Sequence, residues 1–87
     1  MGLKDNYILH KMNNEYVIIE INDGALEFSH VFYINESAAF MFNLLKDGKS
    51  KQEIIDSMLD EFDASKDMLS VDYDNFIKLL KEKGIYE

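Results

Sequence analysis

The chain has no cysteine, no arginine, no proline and no tryptophan, and only two histidines and four glycines among its 87 residues. Without cysteine there is no disulfide, no thiolate metal site and no thiol nucleophile. Without arginine there is no planar guanidinium fork to grip phosphate or guanine at two points. All nine basic residues are lysines, against 17 acidic ones, and the formal net charge is −8. A surface of that sign is repelled by phosphate backbones and by anionic lipid, so neither nucleic acid nor a membrane is an expected partner. No run approaches the roughly 18 apolar residues of a membrane span. The start of the chain also lacks the charged and apolar segments of a secretory signal, which points to the cytoplasm.

Further absences narrow the chemistry. His10 and His30 show neither HxH nor HExxH spacing, and the four glycines form no phosphate-cradling loop. The acidic stretch 53–74 holds eight carboxylates and one lysine, Lys66, but no calcium-loop pattern, and it reads as a solvated surface. The expectation is a protein with no metal, no cofactor and no catalytic residues.

What is present is a folding composition, 47% hydrophobic and 13% aromatic. With no repeat or internal linker, the chain reads as a single domain over residues 1–87. Residues 7–12 and 16–21 are rich in β-branched and aromatic side chains and read as strands. Asn13-Asn14 between them tolerates the positive φ of a tight hairpin, and Asn22-Asp23-Gly24 marks the next turn. Val31, Phe32, Tyr33 and Ile34 form a short third strand, with residues 25–30 ambiguous between strand and bulge.

Three helices follow. Asn35 is placed to cap the first, which ends near Gly48. Ser50-Lys51-Gln52-Glu53 is a capping box that opens the second, and Ile54, Ile55, Met58, Leu59 and Phe62 share one of its faces. Ser65 caps a third helix whose stripe runs Leu69, Tyr73, Phe76, Ile77 and Leu80, with Gly84 at its end. The fold class is therefore α+β, a three-stranded antiparallel sheet followed by three helices.

In a three-stranded meander the third strand is an edge. This one carries no charge and no proline, although natural sheets usually blunt such edges with one or the other. Tyr33 and Tyr73 suit the lip of a groove, since a tyrosine ring packs while its hydroxyl stays wet.

The run Ile34-Asn35-Glu36-Ser37-Ala38-Ala39-Phe40-Met41-Phe42-Asn43-Leu44-Leu45 resembles the LNExAAxxWxLL segment of the PqqD family. Gly48 with the start of the second helix, Glu61-Phe62-Asp63, and the ending through Asp72-Tyr73, Phe76-Ile77, Leu80 and Gly84-Ile85 resemble that family in the same order. Phe42 stands where the family has tryptophan, Tyr73 where it has a small aliphatic residue, and Ile34 where it has leucine.

The resemblance implies a winged-helix-like peptide-recognition element. Such an element binds the leader of a ribosomally made precursor peptide and presents it to a modifying enzyme, often a radical SAM enzyme. It also implies that the leader pairs with Val31, Phe32, Tyr33 and Ile34 and packs against the third helix, here through Tyr73, Asp74, Ile77 and Lys81. Two alternatives remain open at this point: a winged-helix DNA-binding domain, disfavoured by charge, and a structural domain that forms a homodimer through its edge strand.

Overall fold

The computed structural model describes residues 2–87, with the backbone alone for 27–30. The element order is β1 (Tyr7–Met12), β2 (Glu15–Asn22), β3 (Ala25–Ile34), α1 (Glu36–Lys46), α2 (Lys51–Glu61) and α3 (Lys66–Glu82). The sheet is antiparallel in the order β1-β2-β3. This is the α+β arrangement expected from the sequence, with both β2 and β3 longer than expected.

The third strand starts at Ala25 because of its turn. Asp23 and Gly24 take φ of +53° and +78°, a two-residue loop whose twist matches the strands and returns the chain at once. The pairing then slips. Glu20 faces Glu27 and Ile18 faces Phe32, so one residue of β2, Ile19, stands opposite four of β3, 28–31. The ambiguity of residues 25–30 thus resolves as strand and bulge together. The other hairpin turns on Asn13 at φ +57°.

The helix ends follow local chemistry. Asn35, Ser50 and Ser65 each accept a backbone N–H of the first turn through the side-chain oxygen, and Ser50 with Glu53 completes the reciprocal capping box. At the far end of α1, Gly48 N–H bonds Leu45 O and Lys49 N–H bonds Leu44 O; at the end of α3, Gly84 N–H bonds Lys81 O and Ile85 N–H bonds Leu80 O. Both are Schellman closures, and they need the positive φ, +81° and +76°, that glycine adopts without strain.

One core joins sheet and helices. Phe42, Ile18, Ile54, Met58, Leu80 and Ile85 are its largest fully buried side chains. Leu9, Phe32 and Ile34 pack against it from the sheet. Leu59, expected on the buried face of α2, is 39% exposed; it follows Met58 by one helical step of about 100°, enough to carry it over the rim. Phe62 is half-buried and meets Phe40 edge-to-face at 5.4 Å. The two ends of the chain pair as well. Leu3 bridges Tyr86, and Lys4 N–H donates to Ile85 O at 2.9 Å. Among the described residues, no helix is long and apolar enough to cross a membrane.

Candidate functional site

Antiparallel strands alternate between residues whose backbone groups face one neighbour and residues whose groups face the other. Ile21 N–H donates to Asn6 O at 2.7 Å, so the odd-numbered residues of β2 bond β1 and the even-numbered ones face β3. Phe32 and Ile34, opposite Ile18 and Tyr16, are therefore taken up by the ladder. Tyr33, between them, turns its N–H and C=O outward, and Val31 is the last residue of the slipped segment beside it. Side chains alternate too: Phe32 and Ile34 pack on the core, whereas Tyr33 projects to the other face and is 62% exposed. The edge thus offers backbone at Tyr33 and an apolar wall at Phe32 and Ile34.

The opposite edge of the sheet is treated differently. By the same alternation Tyr7 points its carbonyl outward from β1, and the Lys46 ammonium donates to that oxygen at 2.6 Å. A lysine over an edge carbonyl is a common guard against strand pairing. Among the described residues no such bond covers Val31 or Tyr33.

Across from β3 lies one flank of α3. Asp72, Asn75 and Leu79 line a hollow of about 250 Å³ together with Asn35, Ser37 and Ala38, at the point where β3 passes into α1. Near the other end of this flank, the Lys83 ammonium sits 5.3 Å from the centre of the Phe32 ring. The open strand edge and the helix flank thus border a groove marked at one end by this hollow and at the other by Lys83 over Phe32. Phe32, Ile34 and Leu79, on the two elements, each pack against the core.

The structure brings Val31, Phe32, Tyr33 and Ile34 together but not with the helix residues expected to face them. Tyr73, Asp74, Ile77 and Lys81 lie on the other flank of α3, toward α2 and the chain end. Lys51 of α2 bonds Asp74 at 3.0 Å and stands 5.6 Å from the Tyr73 ring. Lys81 lies 5.7 Å from the Tyr86 ring, and Ile77 packs against the core. The Tyr73 hydroxyl is held above its ordinary pKa by burial first, then by Tyr86 and Asp74. The physical reason for this division is helical phase. Phe76 and Leu80 point into the core, and residues just before and just after them in phase fall on opposite flanks. Both flanks carry apolar and charged residues, so the sequence pattern alone does not say which adjoins β3.

Among the described residues the site offers backbone donors and acceptors and apolar surface. Among the described residues, no three His, Asp or Glu side chains converge in a way that would hold a metal ion. His10 is exposed, and the His30 side chain lies outside the described residues.

Two solved structures share this architecture at low identity. TbiB1 in complex with the TbiA(beta) leader peptide is 22% identical with a TM-score of 0.78, over 100% of this chain and 95% of that one. Lasso peptide synthetase B1 complexed with the leader peptide is 19% identical with a TM-score of 0.76, over 98% of this chain and 94% of that one. No curated protein matches the chain. The family model described as Coenzyme PQQ synthesis protein D (PqqD) matches residues 15–85, and the chain belongs to that family.

Proposed function

We propose that this chain is a peptide-recognition adaptor without catalytic activity. It binds the leader of a ribosomally made precursor peptide by strand addition at β3 and presents it to a modifying enzyme in the cytoplasm. The observation that carries the reading is the contrast between the two edges: Lys46 covers the start of β1, while the edge at Tyr33 is left open beside the flank of α3. Strand addition uses such an edge, with backbone bonds supplying affinity and side-chain pockets supplying specificity. The leader peptides present in the two similar complexes and the family membership support it.

In this reading Val31 and Tyr33 give the backbone bonds, Phe32 and Ile34 the strand-side wall, and Asp72, Asn75, Leu79 and Lys83 the helix side. Tyr73, Asp74, Ile77 and Lys81 act only through the packing of α3 on α2. The modifying enzyme is a radical SAM enzyme or similar, as the family resemblance implies. The exposed acidic side of α2, including Asp56, is left free to dock it.

A few added backbone bonds, each worth about 0.5–1.5 kcal/mol net, and one or two buried apolar anchors give a Kd of roughly 0.1–10 µM after the cost of ordering the peptide. The test is titration with a candidate leader, such as that of any short precursor found encoded beside this protein, read by calorimetry and amide chemical shifts. Shifts concentrated at 31–34 and on the Asp72–Lys83 flank are expected. Binding that moves neither region removes the strand-addition mechanism. A homodimer formed through β3 would instead show the same shifts on concentration alone, with no peptide present.

A further inference from the structure

The groove carries charge of opposite sign at its two ends. Asp72 lies at the end where β3 runs into Asn35. Lys83 lies at the other end, over Phe32. Lys78 and Glu82 are phased further out on α3 and offset each other. Between the two ends the apolar side chains of the two elements are Leu79, Ile34 and Phe32, each partly buried against the core.

We propose that the groove selects an extended segment of the form basic–x–apolar–x–acidic, read from its N-terminus. The inference rests on β3 being a peptide-binding edge and adds what the bound peptide must look like.

Spacing follows from geometry. Asp72 and Lys83 are eleven positions apart on a helix that rises about 1.5 Å per residue, roughly 16 Å in all. A strand advances about 3.3 Å per residue, and only every second side chain faces the helix. Two side chains four residues apart lie about 13 Å from each other, and their flexible stems span the remainder. The residue midway between them faces the same way, toward these apolar side chains.

Order follows from direction. The sheet is antiparallel throughout, and an added strand that continues this pattern runs against β3. Its N-terminal part then lies beside Ile34 and Asp72 and its C-terminal part beside Phe32 and Lys83. A basic residue therefore comes first and an acidic one last. The same pairing disfavours the reversed order, because each end would set like charges together.

The experiment is selection of a displayed library of random peptides against the intact protein and against Lys83→Glu. Enriched peptides should share the basic–x–apolar–x–acidic order on the wild-type protein, and on Lys83→Glu the acidic position should turn basic. A peptide chosen on the wild type should bind Lys83→Glu roughly fivefold more weakly, the scale of one exposed charge pair turned repulsive. Added salt should narrow that gap. Circular dichroism of the variant should match the wild type. Peptides that bind at β3 with no charge order, or with the reversed order, overturn this inference and leave the adaptor reading standing. A library that yields no peptide binding at β3 overturns both.

Discussion

The Lys46 ammonium lies 2.6 Å from the Tyr7 backbone carbonyl and 5.9 Å from the centre of the Phe42 ring. One side chain thereby ties the end of α1 to the first strand and occupies the edge of the sheet that the groove does not use. A sheet with two free edges could add a strand at either side, and leader binding in one register would be lost among alternatives. Covering the Tyr7 carbonyl closes the start of the β1 edge to such pairing.

Replacing Lys46 by alanine uncovers that carbonyl. Lys46→Ala should self-associate more readily than the wild type at equal concentration, seen as a concentration-dependent rise in sedimentation coefficient. Leader affinity should be unchanged, because β3 is untouched. Identical sedimentation of the two proteins would mean that the lysine is not acting as a guard.

The two flanks of α3 make opposite predictions for binding. Leu79→Ala removes apolar surface and should weaken leader binding about tenfold, the equivalent of about 1.4 kcal/mol. Tyr73→Ala, on the flank facing α2, should leave leader affinity within about twofold and lower stability instead. Calorimetric titration of both variants, each first checked for a cooperative thermal transition, separates the assignments. A loss of binding confined to Tyr73→Ala would return the site to the other flank.

Short-range chemistry was the legible part of this fold. The caps at Asn35, Ser50 and Ser65 and the closing glycines at 48 and 84 each depend on residues within a few positions, and all lie where the sequence puts them. The open edge at residues 31–34 was also readable, because strand order in a meander leaves little choice. The bulge opposite Ile19 was legible only as an alternative for residues 25–30, since the place where the pairing slips is decided by the partner strand. Which flank of α3 adjoins β3 is not legible for a similar reason: it depends on how α3 crosses α2. The pairing of Leu3 with Tyr86 joins opposite ends of the chain and has no local signal.

Phe42 is fully buried in the core. Phe42→Ala should cost about 3–5 kcal/mol. Domains of this size have about 5–15 kcal/mol in total, so the variant should melt far below the wild type. Phe42→Trp adds volume to a filled site and should also destabilise, by about 1–3 kcal/mol, unless neighbouring side chains shift. Thermal or urea denaturation of the three proteins gives the ranking directly.

The capping box at the start of α2 gives a pH-dependent prediction. Ser50 N–H donates to the Glu53 carboxylate at 2.9 Å, and Glu53 N–H donates to the Ser50 hydroxyl at 3.2 Å. The carboxyl of Glu53 is held below its ordinary value of 4.5, chiefly by the Ser50 backbone amide, then by the Ser50 side chain, with a smaller contribution from Lys49. A carboxyl whose pKa is depressed by folding stabilises the folded chain above its unfolded value, and that contribution disappears as pH falls through the folded value. Glu53→Gln keeps a side-chain acceptor at the cap but cannot titrate. The wild type should therefore exceed Glu53→Gln in urea midpoint near neutral pH, and the difference should shrink as pH is lowered from about 5 to about 3. Other carboxylates titrate in the same range in both proteins, so it is the difference between the two curves that reports Glu53. A gap that stays constant across that window would mean that the hydrogen bond from Ser50 does not distinguish the charged from the neutral carboxyl.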